Sequence, residues 1–164
     1  MDCSTNYGNH GCGKGRIDFA FNYIHDYGVE SENNYPYEGR DDTCRFNKSL
    51  SVTKVSAYNW ITSGDELALQ KAVDQVGPIA AAIQATFPFL EYEGGYLYDK
   101  YCSSKKGDAN HAVLVVGYGS NGTHDYWIVK NSFGTTWGDS GYAYMARNAD
   151  NNCGIATQAL YPVL

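Results

Sequence analysis

The chain has 164 residues, 43% of them hydrophobic and 18% charged, which suffices to bury a sizeable core rather than leave the polypeptide disordered. Its net charge of −6 disfavours nonspecific binding to nucleic acid or to an anionic membrane surface. No apolar run approaches the ~20 residues of a membrane span, and no signal peptide is recognisable, so the compartment must be read indirectly.

Residues 1–16 read as a glycine-rich loop around Gly8, Gly11, Gly13 and Gly15. Ile17, Ala20, Phe21, Ile24 and Tyr27 then recur at helical spacing up to a stop at Gly28. Residues 30–50 are polar, with Asn34-Tyr35-Pro36-Tyr37 extended. Val52 to Tyr58 reads as a strand. Ser63-Gly64-Asp65-Glu66 reads as a capping box opening a helix with Leu67, Leu69, Ala72, Val73 and Val76, stopped by Gly77-Pro78. Ile79 to Ala85 reads as a buried strand, Thr86 to Tyr92 as a short helix, and Glu93-Gly94-Gly95 as a turn. Further strands are expected over 111–118, 125–131 and 141–147. No repeat and no low-complexity linker interrupts the chain.

The stretch from 110 to 142 carries the chemistry. Two apolar runs, 112–117 and 126–129, flank a loop centred on Asn121-Gly122, a hairpin signal. Folding this ladder symmetrically about residue 121 sets His111 opposite Asn131. A carboxamide oxygen fixes an imidazole's tautomer without adding charge and leaves the other ring nitrogen to handle protons. That arrangement suits a histidine whose second partner is an anion such as a thiolate. The plainer reading has His111 ending a strand and Asn131 capping a turn.

Asn110-His111-Ala-Val-Leu-Val-Val-Gly-Tyr-Gly, followed by Tyr126-Trp-Ile-Val-Lys-Asn131-Ser132-Phe133-Gly and Thr136-Trp137-Gly-Asp-Ser-Gly141-Tyr142, resembles the papain family of cysteine proteases, closest to its cathepsin L-like branch. Asp2-Cys3-Ser4, Gly11-Cys12-Gly13, Tyr35-Pro36-Tyr37-Glu38, Val76-Gly77-Pro78-Ile79 and Cys153-Gly154-Ile155-Ala156 extend the resemblance over nearly the whole chain, in the family's order. The resemblance implies an α+β, papain-like fold. A β-rich half with an antiparallel, barrel-like sheet is expected complete over about 58–164, and a helical half only in part over about 1–57. It implies a cysteine-type endopeptidase in which His111 is the acid/base and Asn131 its orienter. The family's nucleophile lies in a C-G-[SA]-C-[WY] segment, and no such string occurs here. The chain is therefore expected to begin inside the domain, after the nucleophile, and to be inactive by itself.

By the same resemblance Cys3 pairs with Cys44 and Cys102 with Cys153, which leaves Cys12 unpaired, its partner expected in an absent upstream segment. An alternative takes Cys3, His10 and Cys12 as metal ligands, but no second pair has zinc-like spacing, and neither metal nor cofactor is expected. Asn47-Lys48-Ser49 and Asn121-Gly122-Thr123 are glycosylation sequons in predicted loops. With the cysteines they favour a lysosomal or extracellular compartment.

For substrate, the resemblance places Gly15, Asn110 and Trp137 along the peptide. It places Ala82, Ala109, Ala112 and Gln158 around the main specificity pocket, with Ile17 and Leu160 near it. Small alanines leave room for an apolar side chain, while Gln158 narrows the pocket or gives it a polar floor. Trp137 and Phe133 are expected to shield the imidazole–amide pair, Phe133 standing where the family usually has Trp. Lys14 and Gly13 also depart from the family's loop. The implied partners are peptide or protein substrates, a propeptide or cystatin-like inhibitor, and the upstream segment. A second function class remains open: a non-catalytic structural or matrix homologue that keeps the fold.

Overall fold

The computed structural model describes residues 1–164. The chain divides into two compact units, residues 1–59 with 162–164, and residues 60–161.

In the first unit the helical repeat becomes α1 (Ile17–Tyr27). Gly28 ends it with φ 92°, and its N–H donates to Ile24 O at 2.9 Å. A Cβ at Gly28 would lie 2.3 Å from Ser51 Oγ and 2.9 Å from Thr53 O, so both backbone and packing require glycine. None of the apolar side chains of α1 is fully buried; its one buried residue is Asp18, whose carboxylate accepts from Arg16 Nε at 2.9 Å and Nη2 at 2.7 Å. β1 (Val29–Glu30) pairs antiparallel with β2 (Ser51–Thr53), and the Cys3–Cys44 disulfide ties the polar segment between them to the first residues. The single strand expected over 52–58 is in fact two, β2 and β3 (Ala57–Trp60). Val55 turns inward between them, 4% exposed, and the partner changes: the Ser56 N–H donates to Val163 O.

The second unit holds α2 (Glu66–Gln75), β4 (Ile79–Ile83), α3 (Phe87–Leu90), β5 (Tyr96–Leu97), β6 (His111–Ser120), β7 (Asp125–Lys130), β8 (Tyr142–Ala146) and most of β9 (Gln158–Val163). The strand order is β3-β9-β4-β6-β7-β8-β5. This corrects the barrel-like expectation. The sheet is open, with β3 and β5 as edges, and it is not wholly antiparallel, because β5 runs parallel to β8. Closure would require the two edges to pair, and two-residue β5 has its partner in β8 alone.

Strand alternation builds the core. Ile79, Ala81 and Ile83 are fully buried on one face of β4, joined by Val115, Trp127, Val129, Ala143 and Met145 from the neighbouring strands. α2 contributes Leu69 and Ala72, whereas Leu67 and Val76 face solvent. Each fully buried large side chain contributes about 1.5–3 kcal/mol.

The expected capping box is not the observed cap. Asp65, not Ser63, is the N-cap of α2, accepting from the Ala68 N–H at 2.9 Å, and the Ser63 hydroxyl donates instead to Thr157 O. Glu66 is thereby freed from capping. Its carboxylate accepts from the indole N–H of buried Trp127 at 3.0 Å and from the backbone N–H groups of Asn148 at 2.9 Å, Ala149 at 3.3 Å and Asn151 at 2.9 Å. The segment it gathers contains four non-glycine residues at positive φ, Asn148, Asp150, Asn151 and Cys153. Asn and Asp tolerate that conformation better than other L-residues, whereas Cys153 does not, and the Glu66 carboxylate helps hold the segment. Cys153 is fastened again through its disulfide to Cys102, across a separation of 51 residues.

Two stability outcomes follow. Glu66→Ala strands four N–H donors and is expected to lower unfolding stability by roughly 2–4 kcal/mol, read from the denaturant midpoint. Replacing Cys102 and Cys153 together by Ala is expected to lower it by about 4 kcal/mol. An unchanged midpoint in either variant contradicts the corresponding role.

Candidate active site

The hairpin that brings His111 and Asn131 together turns later than its symmetry suggested. Ser120 pairs with Asp125 and Gly119 with Tyr126, so the ladder folds between residues 122 and 123. The Asn121 N–H donates to His124 O at 3.1 Å and closes the loop. A bulge between Val115 and Gly117 then removes one more step, and Leu114 faces Lys130. Asn131 is therefore not the backbone partner of His111. It has left the ladder, its N–H donating to Gly141 O at 3.0 Å. The side chains meet all the same: His111 Nε2 lies 2.8 Å from Asn131 Oδ1.

A second bond decides which atom is which. The same Asn131 oxygen accepts from the Ser132 backbone N–H at 2.8 Å. A backbone N–H only donates, so the carboxamide atom facing it is oxygen. The imidazole nitrogen facing that oxygen must then carry its proton. Nε2 is the protonated nitrogen, and Nδ1 is left to accept or deliver a proton. The Asn131 Nδ2 is buried without a hydrogen-bond partner, an unsatisfied donor beside the pair.

Neighbouring elements fix the imidazole. His111 opens β6 opposite Ile83 of β4. Asn110 locks that junction: its N–H donates to Ile83 O, its Oδ1 accepts from the Ala85 N–H at 2.8 Å, and its Nδ2 donates to Ala85 O at 3.0 Å. Phe133 lies over the imidazole with centroids 4.9 Å apart, and Phe89 approaches it to 5.7 Å. Trp137 contacts the histidine's neighbours, standing edge-on to Phe133 at 5.6 Å and 5.0 Å from Phe89, its indole N–H given to Leu90 O. Phe133 remains 42% exposed, so this cover is open on one side. Excluding water from one side strengthens the imidazole–amide bond.

A row of smaller side chains continues from the histidine. Ala112 pairs with Ala82, and Ala82 with Gln158, so these three stand side by side on adjacent strands and share one face. Gln158 Nε2 donates to Lys106 O at 2.9 Å, which ties the end of the row to the turn ahead of Ala109. Ala109 is half-buried, and Leu160 is fully buried. In the first unit Gly15 is exposed, and a Cβ there would come within 2.9 Å of the Asn9 carboxamide oxygen that accepts from the Arg16 N–H. Ile17 is half-buried at the start of α1.

The bridges Cys3–Cys44 and Cys102–Cys153 are formed, and Cys12 is a free, exposed thiol. Sequence reasoning gave Glu66 only a capping role and passed over Phe89. Phe89 was masked inside a short aromatic run, and only Pro88 at the first helical turn marked the segment as ordered.

A papain family cysteine protease profile matches residues 1–163, and the chain belongs to that family. Within it the chain is similar to cathepsin L-like members. It is 51% identical to a cathepsin L-like peptidase of Aedes aegypti over all of this chain and 49% of that protein. It shares 56% identity and a TM-score of 0.97 with digestive procathepsin L 3 of the Tenebrio molitor larval midgut, over 99% of this chain and 53% of the other. Bromelain of Ananas comosus, solved with the inhibitor E64, aligns at 35% identity and a TM-score of 0.86, over 96% and 73%. The chain spans about half the length of the curated relatives it matches.

Asn131→Ala is expected to release the imidazole from its single tautomer. Nitrogen-15 spectra should show His111 protonated at Nε2 in the native chain and a mixture of Nε2–H and Nδ1–H in the variant. A native mixture, or a variant indistinguishable from native, contradicts the assignment.

Proposed function

We propose that this chain is the acid/base-bearing part of a cysteine endopeptidase, with His111 as the proton carrier and Asn131 as its positioning residue. The single observation that carries the reading is the Nε2–H···Oδ1 bond at 2.8 Å, its oxygen pinned by the Ser132 N–H. Protonated at both nitrogens, His111 stabilises a thiolate at Nδ1. The thiolate adds to the peptide carbonyl carbon. Collapse of the adduct breaks the C–N bond as His111 Nδ1–H protonates the departing amine. Water then attacks the thioester, giving its proton back to Nδ1, and the thiolate leaves. An amide partner, unlike a carboxylate, helps hold the ring without neutralising its charge, so the cation is kept for the thiolate.

The nucleophile belongs to residues outside these 164. Four of the five cysteines are in disulfides, and Cys12 lies in a loop with no part in the resemblance's catalytic set. Alone, the 164 residues hydrolyse no peptide. The Ala112–Ala82–Gln158 row supports a specificity pocket that takes a medium-sized apolar side chain at P2, the second residue before the cleaved bond, with Gln158 as its polar limit. By the family resemblance Ala109 and Asn110 are substrate-facing residues of the second unit, and Gly15, through its backbone, and Ile17 are substrate-facing residues of the first. A propeptide, or an inhibitor of the cystatin kind, competes with the substrate. The two disulfides and the procathepsin relatives support a lysosomal or extracellular enzyme.

The test is a chimaera in which these residues replace the matching part of Tenebrio procathepsin L 3. It is expected to cleave peptides with apolar P2 residues after activation, His111→Ala to abolish cleavage, and Asn131→Ala to reduce kcat by about 10²–10⁴-fold. A folded chimaera without activity contradicts the catalytic reading, and a strict preference for Arg at P2 contradicts the pocket.

A further inference from the structure

We propose that Asn121 carries an N-linked glycan and that this glycan protects the β6–β7 loop from proteolysis. Asn121, Gly122, Thr123 and His124 are all exposed, and they form the whole loop between Ser120 and Asp125. The Asn121 Oδ1 is engaged, accepting from the N–H groups of Thr123 at 3.0 Å and His124 at 2.8 Å. Its Nδ2 is the atom to which the sugar is joined. In the folded chain the Asn-Gly-Thr triplet stands at an exposed hairpin tip, so a glycan attached before folding is accommodated there.

The sugar donor is an oligosaccharide linked through pyrophosphate to a polyprenol lipid. Nδ2 attacks its anomeric carbon; the new C–N bond forms, the carbon–oxygen bond to phosphate breaks, Nδ2 loses one proton, and the lipid pyrophosphate leaves. Transfer of this kind belongs to the compartments in which disulfides form, and two disulfides are present here. The site is compatible with the active-site geometry. His111 and Ser120 lie at opposite ends of β6, a strand of ten residues, so the glycan sits about 30 Å along the hairpin from the imidazole.

Protection follows from what the tip exposes. Small polar residues at an exposed loop tip are preferred points of nicking. On the proposed reading as a peptidase this chain meets that hazard continuously, and a bulky glycan on the first loop residue blocks approach to the next three. Asn47 is a second acceptor of the same chemistry. It is exposed, and its Oδ1 accepts from the N–H of Ser49 at 3.0 Å and from the hydroxyl at 2.8 Å.

The experiment is secretion of the chain from insect cells behind a heterologous leader. Peptide mass spectrometry after enzymatic deglycosylation should find Asn121 and Asn47 converted to Asp. Gel mobility should change by two steps in the native chain, by one in Asn121→Gln or Asn47→Gln, and not at all in the double variant. Because transfer precedes folding, a poorly folded variant still reports occupancy. Secreted chain with unmodified Asn121 overturns the site. For the shielding, a protease of broad specificity should cut within 121–124 several-fold faster in Asn121→Gln and in enzymatically deglycosylated native chain than in the glycosylated form. Equal rates overturn the protective role.

Discussion

One hydrogen bond organises this chain: the His111 Nε2–H donated to Asn131 Oδ1. It joins the first residue of one strand to a residue just beyond the end of the next. Neither partner is held by the sheet ladder they share. His111 is held by its pairing to Ile83 and by the Asn110 clamp on Ala85, Asn131 by its N–H to Gly141 and by the Ser132 N–H on its oxygen. The pair is thus fixed from outside itself, which is what pre-organisation requires: the tautomer is set before any substrate arrives.

The scaffold around the pair is stiff for identifiable reasons. β4 lies between β6 and β9 and carries the small alanine that links His111's neighbour to Gln158. β9 follows directly on the segment that Glu66 gathers by three backbone N–H groups. A charge at the start of α2 therefore bears on the strand that ends the alanine row. The coupling is a chain of hydrogen bonds, from the Asn151 N–H to Glu66, from the Asn151 side chain to the hydroxyl of Thr157, the residue before Gln158, and from that hydroxyl to Ser104 O.

Much of this was legible in the residues. α1, its glycine stop, β4, the three strands after residue 110 and the short α3 follow from periodicity and from glycine and proline punctuation. The meeting of His111 and Asn131 was legible too, but by a register that the backbone does not adopt. The bulge at 115–117 and the later turn shift the pairing, and a side-chain reach compensates. Neither leaves a mark in hydrophobic alternation. The capping box failed because Asp65, one residue before Glu66, is the better-placed acceptor, and because partners 82 to 85 residues away compete for Glu66. β9 went unread because Gln158 to Val163 mixes polar, aromatic and proline residues. The sheet's openness and its one parallel pair were likewise unread, since both depend on long-range order that no local window contains.

Neutron diffraction from a deuterium-exchanged crystal measures the central claim directly. A deuteron on Nε2 of His111 pointing at Asn131 Oδ1, with Ser132 donating to the same oxygen, is the predicted result. A bare Nε2 with the deuteron on Nδ1 alone, or the two side chains out of contact, would contradict it.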